Sequence, residues 1–396
     1  MKSIDRRGFI RTGLTGAAGI VSLAPSLVSA APVQQKDIIY RTLGKTGLKI
    51  PVISFGVMRA DNPNLCKAAY EKGIRFFDTA HVYQNGNNET MLGELLGNYP
   101  RNSFLIATKV KPAGVDKEGK PTGQTTADDF LSKFDTSMSR LKMDYVDILY
   151  VHDIRHTDLL EYKPIINAVK KLKKDGRIKF MGFSTHGNEA NVISAAADTK
   201  NWDVILTSYN FKQTYVKELQ ASLSKAAKSG IGIVAMKTMA GGGFLDKEKT
   251  RRINSTAALK WALSNPDITT AIPGMTEFDQ LELNVKLLAD LTLNDAEKQD
   301  LLVAQADNGL YCTGCSRCLE GCPKNLPVPD LMRAYMYAYG YSSPRMAYSL
   351  LGELGMKENP CGDCSVCQVN CTKNFNVREK IADISRIVNV PADFLS

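Results

Sequence analysis

From Ile38 to about Asp290, short apolar runs alternate with amphipathic stretches along the chain. Eight of the runs read as strands: Val52–Val57, Arg75–Thr79, Phe104–Lys109, Val146–His152, Phe180–Ser184, Val204–Tyr209, Gly232–Lys237 and Thr269–Pro273. Most are rich in Val, Ile and Phe, and nearly continuous rather than alternating. That is the pattern of parallel strands buried on both faces. The intervening stretches read as helices. Asn88–Tyr99 carries Met91, Leu92, Leu95 and Leu96 on one stripe, and Thr126–Leu141 opens at a threonine with Asp128 and Asp129 in its first turn, where the helix end favours acids. Ser255–Leu263 is a third. Eight such units in about 250 residues predict an α/β chain closed into a (β/α)8 TIM barrel. An open doubly wound sheet would be expected to carry G-x-G-x-x-G after its first strand, and none follows. Ahead of the barrel, Ile38–Leu43 and Leu48–Ile50 flank Gly44-Lys45-Thr46-Gly47, a hairpin suited to covering the barrel base.

After Asp290 the character changes: residues 305–375 hold eight of the nine cysteines, with Pro and Gly between them. Three regions follow from these shifts: 1–31, a targeting segment; 37–300, the barrel; and 301–396, a small ferredoxin-like region. In the first, Arg6-Arg7-Gly8-Phe9-Ile10-Arg11 precedes a mild, Gly- and Ala-rich apolar stretch ending at Val28-Ser29-Ala30-Ala31-Pro32. This resembles a twin-arginine signal peptide with a cleavage site. It implies passage through the twin-arginine translocase to the periplasm; the alternative is a retained anchor that leaves the protein membrane-bound and facing the periplasm. The remaining composition, 44% hydrophobic and 23% charged, is that of an ordinary globular protein. The formal charge of +9 is spread along the chain and favours no nucleic-acid partner.

The cysteines form two runs, Cys312-x2-Cys315-x2-Cys318-x3-Cys322-Pro323 and Cys361-x2-Cys364-x2-Cys367-x3-Cys371. Paired runs of this spacing are the bacterial pattern for [4Fe–4S] clusters. Three thiolates two residues apart on a curled loop can face one cube, while the fourth points toward the other. One site would therefore use Cys312, Cys315, Cys318 and Cys371, and the second Cys361, Cys364, Cys367 and Cys322. Disulfides and zinc are the alternatives. The triple runs are crowded for a disulfide framework, and zinc usually takes two C-x2-C pairs. The second run lacks the proline that follows Cys322, ending in Cys371-Thr372. Cys66 stands alone and reads as a core thiol.

Active sites of such barrels form where strands end, and four polar residues fall there. Asp78 closes the second strand, Tyr83 follows in its loop, Lys109 ends the third strand and His152 the fourth. A free tyrosine ionises near pH 10. An adjacent Lys109 ammonium would lower that value, Asp78 would offset the burial of the lysine, and His152 would orient a carbonyl oxygen.

Phe77-Asp78-Thr79-Ala80-x2-Tyr83, Ala107-Thr108-Lys109 and Val151-His152 resemble the tetrad motifs of the aldo/keto reductase family. Gly182-Phe183-Ser184, Tyr209-Asn210, Ala240-Gly241-Gly242 and Ile272-Pro273-Gly274 with Gln280 and Asn284 extend the similarity over residues 38–290. The resemblance implies a small carbonyl or alcohol substrate and an NAD(P) cofactor lying across the mouth. Ser184 would then sit at the carboxamide, with Tyr209 on the nicotinamide ring. Loop residues after Lys237, with Gly241 among them, would meet the pyrophosphate and Asn284 the adenine, with Gly274 and Gln280 as further cofactor-binding residues. Two departures stand out: Thr185 and Leu206 occupy positions where the family usually has Asn and Gln. Together these features predict an exported oxidoreductase that interconverts a carbonyl and an alcohol by Tyr83-assisted hydride transfer, its clusters exchanging electrons with a redox carrier protein. The alternative is a cluster-bearing electron-transfer or ligand-binding barrel with a degenerate nicotinamide site.

Overall fold

Strands β3 (Phe55–Gly56), β4 (Phe76–Asp78), β5 (Leu105–Val110), β6 (Val146–Val151), β7 (Ile178–Thr185), β8 (Val204–Ser208), β9 (Gly232–Met236) and β10 (Thr270–Ala271) lie side by side in sequence order, all parallel. They follow a short antiparallel hairpin, β1 (Tyr40–Thr42) and β2 (Lys49–Pro51). The sheet closes on itself. Ser54 donates to the Ala271 carbonyl at 2.8 Å and Ala271 to Val52 at 3.0 Å, joining the last strand to the first. The computed structural model describes residues 37–395, so the twin-arginine stretch and its cleavage site lie outside the described residues. No helix among the described residues is long and apolar enough to cross a membrane.

Helices α1 (Pro63–Glu71), α2 (Asn87–Leu96), α3 (Ala127–Leu141), α4 (Lys163–Lys174), α5 (Glu189–Thr199), α6 (Val216–Lys228), α7 (Ser255–Ser264) and α8 (Phe278–Lys286) alternate with the strands. Their starts follow local chemistry: the Thr126 side chain accepts from the Asp129 backbone N–H at 3.3 Å, capping α3. The barrel interior is filled by Phe76, Ala107, Ile148, Tyr150, Val204, Leu206, Val234 and Ile272. Leu43 and Ile50 of the hairpin segment join that cluster, fully buried. The hairpin therefore plugs the base, and chemistry is confined to the opposite mouth. Cys66 is buried in the layer between strands and helices, where desolvation pushes its thiol up to about 12.

Four more helices follow: α9 (Asp295–Ala306), α10 (Val328–Tyr335), α11 (Pro344–Glu353) and α12 (Val377–Ser385). The expected boundary near residue 300 falls inside α9. That helix packs on α7 of the barrel, with Lys260 ion-paired to Glu297 at 2.8 Å. The cysteine-rich region has its own small core, including Leu331, Met332, Leu351, Phe375 and Ile381. A further cluster unites Phe211, Ala240, Leu245 and Ala257 of the barrel with Leu301, Tyr311, Met336 and Tyr341. This shared apolar layer makes the two parts one compact unit, with the C-terminal region seated over loops of the barrel mouth.

Candidate active site and cysteine cavities

Asp78 ends β4, Lys109 lies near the end of β5, and His152 follows β6 directly. Tyr83 begins the turn after β4, a turn held by left-handed Gln84 and Asn85. The Lys109 ammonium bonds the Asp78 carboxylate and the Thr79 carbonyl, the latter at 2.7 Å. It stands 3.5 Å from the Tyr83 hydroxyl. The Tyr83 and His152 rings meet edge-on, with centroids 6.1 Å apart. The structure thus brings all four residues together.

Their ionisation differs from the expectation that Lys109 makes the phenol acidic. Burial, then the charges of Asp78 and Asp153, raise the Tyr83 pKa above its ordinary value. Lys109 is itself committed to Asp78. Burial also pushes Asp78 up and Lys109 down, against their mutual attraction. Burial and then Lys109 push His152 down to about 3, so its imidazole is neutral across physiological pH. Its Nδ1 is buried without a partner. The mouth therefore presents a protonated phenol and a neutral imidazole, two hydrogen-bonding groups suited to a carbonyl oxygen.

The residues expected to seat a dinucleotide are spread differently. Gly274 and Gln280 are exposed, and Asn284 is buried beneath them on α8; the Gln280 side chain accepts from the Thr276 N–H at 2.9 Å. Tyr209 does not reach the mouth. It is buried, stacked on Trp261 at 4.9 Å, with its hydroxyl 2.8 Å from Gln220 and 3.2 Å from Asn265. Its ring is committed to packing and cannot also cover a nicotinamide. The Gly241–Gly242 backbone is covered as well: Tyr311 packs on Gly241, and a Cβ on Gly242 would run into the Gly340 carbonyl. The expected nicotinamide and pyrophosphate seats are filled by protein. Ser184 is buried and accepts from the Asp153 N–H at 3.0 Å, fixing the loop after His152.

That loop carries a buried charge network the linear pattern did not reveal. Arg155 forks between Asp153, at 2.5–3.0 Å, and Asp330 of α10, at 2.8 and 3.0 Å. Arg333, one turn along α10, approaches both carboxylates at 3.4 and 3.5 Å, and His186 Nδ1 lies 3.1 Å from Asp153. Burial would raise Asp153, but Arg155, His186 and Arg333 outweigh it and hold the carboxyl well below its usual range. Lys237, just past β9, has no hydrogen-bonding partner for its ammonium among the described residues. Burial and then Arg333 push it down to about 7. In NMR spectra of reductively methylated protein, one lysine should titrate near pH 7 and be lost in Lys237→Met; an unchanged set of titrations would contradict this placement.

None of the nine cysteines is in a disulfide. Eight sort into two cavities. The first is lined by Cys312, Cys315, Cys318 and Cys371, the second by Cys322, Cys361, Cys364 and Cys367. The crossing of the fourth cysteine between runs is the grouping expected from the spacing. Among the described residues no three His, Cys, Asp or Glu side chains close on a point that could hold one metal ion. A single zinc needs donors within about 2.0–2.3 Å of one centre, whereas a four-iron cube holds its thiolates apart by its own width. The donor set, sulfur alone and four to a cavity, fits the cube.

A profile of the aldo/keto reductase family matches residues 55–257, more than half of the chain. The chain belongs to the aldo/keto reductase family. L-galactose dehydrogenase of Arabidopsis thaliana is 28% identical over 308 residues, covering 67% of this chain and 93% of that protein. L-glyceraldehyde 3-phosphate reductase of Escherichia coli is 25% identical over 327 residues, covering 68% and 92%. The solved aldo-keto reductase AKR11C1 from Bacillus halodurans shares the fold with a TM-score of 0.55 at 24% identity, covering 67% of this chain and 96% of that one. The protein is accordingly an oxidoreductase on the family's barrel, while residues 258–396 extend beyond the matched profile.

Proposed function

We propose that the barrel mouth interconverts a small carbonyl compound and its alcohol, with Tyr83 moving the proton at the carbonyl oxygen. The meeting of Tyr83, Lys109, Asp78 and His152 carries this reading. Reduction adds a hydride to the carbonyl carbon and a proton to its oxygen; a nicotinamide, if bound, would supply the hydride, and the raised pKa of Tyr83 keeps the phenol protonated until the oxygen becomes basic. The neutral His152 imidazole holds that oxygen near the hydroxyl. Lys109, fixed by Asp78, places positive charge beside the phenolate as it forms. The test is turnover of a panel of small aldehydes and ketones; failure of every carbonyl compound and alcohol to react would end the assignment.

The eight cysteines are proposed to hold two [4Fe–4S] clusters, which supply and accept single electrons. The two all-cysteine cavities support this, and a redox carrier protein would exchange those electrons from outside. Export by the twin-arginine route, which carries folded proteins, is part of this proposal: it would place the enzyme in the periplasm, and the Arg6-Arg7 stretch supports it. Anaerobically purified protein should be brown, and Cys315→Ser should lose about half of its iron and acid-labile sulfide, because the ligands divide equally between two cavities. Full iron retention in that variant would contradict the ligand set.

A second reading, a cluster-bearing electron-transfer or ligand-binding barrel with a degenerate nicotinamide site, is favoured by the buried Tyr209 and the covered Gly241–Gly242 backbone. Fluorescence of the nucleotide fraction after denaturing the protein separates the two. Recovered NAD(H) or NADP(H) supports an intact nicotinamide site, and an empty fraction the degenerate one.

A further inference from the structure

The two cysteine cavities are not equivalent in their surroundings. The first lies against the barrel. A Cβ on Gly314, between Cys312 and Cys315, would fall 2.8 Å from the His186 carbonyl oxygen and 3.6 Å from the Gly187 Cα. His186 is the residue that approaches Asp153 beside His152. The preceding Thr313 carbonyl lies 2.8 Å from the Tyr215 hydroxyl, which is also 2.8 Å from Glu189 at the start of α5. The loop around Cys312 is thus tied to the barrel on two sides, and Thr313 and Gly314 are buried.

The second cavity faces outward. Most of residues 362–370 are exposed, Cys367 included, and Val366 is 71% exposed. The loop is held at its base by Lys324, which donates to the Pro360 carbonyl at 2.9 Å and pairs with Asp363. Val328 and Val377, the first residues of α10 and α12, line both cavities. A wall of two valine side chains is therefore common to them.

Resting on the cluster reading above, we infer that the cavities form an ordered one-electron path into the barrel. The Cys322, Cys361, Cys364 and Cys367 cavity is the entrance, and the Cys312, Cys315, Cys318 and Cys371 cavity, against the His186–Gly187 loop, is the inner station at which the electron is held. Each transfer oxidises an external one-electron carrier and reduces the outer centre. The electron then crosses the Val328–Val377 wall, reoxidising the outer centre and reducing the inner one. No bond is made or broken in either step. The order gives the C-terminal region a direction: its inner face is an extension of the active site, and its outer face is where a carrier exchanges electrons.

The full-length protein, purified anaerobically and reduced with dithionite, tests this by electron paramagnetic resonance. Cys364→Ser should keep only the inner signal and Cys315→Ser only the outer one. Each variant should lose the spin–spin broadening present when both centres of the wild type are reduced. A water-soluble dysprosium chelate should shorten the relaxation of the outer signal more than that of the inner one. Equal response of both signals, or a stronger response of the inner one, would overturn the order. Should either variant fail to fold, the wild type suffices: the chelate should relax one of its two interacting signals more than the other, and uniform relaxation overturns the proposal. Wild-type protein without iron is a separate result, which removes the cluster reading itself.

Discussion

Tyr83→Phe is expected to lower carbonyl turnover by about 10²–10⁴-fold, the usual worth of one positioned proton donor, while the fold and iron content stay as in the parent. The substitution removes a single oxygen. That oxygen's one polar contact within the barrel is Lys109 at 3.5 Å, too long to contribute much to stability. The aromatic ring that meets His152 edge-on remains. Turnover would be followed with reduced methyl viologen as electron donor and the same carbonyl panel, alongside thermal melting and iron analysis. Burial together with Asp78 and Asp153 holds the hydroxyl protonated above the ordinary value of about 10. Reductive turnover should therefore show no loss of the acid as the pH rises from 6 to 9. A variant that retains parental turnover would remove Tyr83 from the chemistry and leave the mouth a binding site.

Arg155→Ala is expected to cost about 3–5 kcal/mol of stability, the usual penalty for breaking a buried ion pair from one side. The Asp153 side chain is 5% exposed and that of Asp330 12%. Without the guanidinium fork both carboxylates face each other across the junction with Arg333 as their one shared cation, at 3.4 and 3.5 Å, and His186 beside Asp153 alone. Arg155→Lys should recover little, because an ammonium cannot fork between two carboxylates. Replacing Arg155 and Asp330 together with apolar residues should recover part of the loss. The pH dependence follows from the depressed carboxyls of Asp153 and Asp330. A folded pKa below the unfolded value contributes stability that is present above about pH 4 and lost as the pH falls through the folded value. The parent should therefore weaken in acid below pH 4, and Arg155→Ala should show a shallower acid dependence. Melting temperature against pH for both proteins checks the sign; parallel curves would show that the network contributes no pH-dependent stability.

Much of this protein was legible in the chain. The eight strands were, because parallel strands buried on both faces must be continuously apolar; six of the eight runs contain their strand, while β5 extends one residue past its run and β7 extends past both ends of its run. The tetrad was, because residues near the ends of adjacent parallel strands are neighbours by construction. The grouping of eight cysteines was, because ligand spacing on a short loop is a local property. Ends were less so: β3 and β10 shrink to two residues each, since the closing bonds at Ile53, Ser54 and Ala271 depend on where the barrel meets itself.

Three things were decided only by tertiary packing. Tyr209 sits one residue past β8, where sequence cannot say whether the ring turns to the mouth or to the helices; Trp261 on α7 offers the larger apolar contact, and the ring takes it. The Arg155–Asp330 pair joins residues 175 positions apart, a separation at which no local periodicity carries information. The ionisation of Tyr83 depends on how much water the C-terminal region leaves at the mouth. Local chemistry along the chain thus determined which groups are present and which strand or loop bears them. The seating of the cysteine-rich region on the barrel decided their charges, their access to solvent and the covering of the loop after β9, because desolvation and long-range pairing exist only once distant segments are packed together.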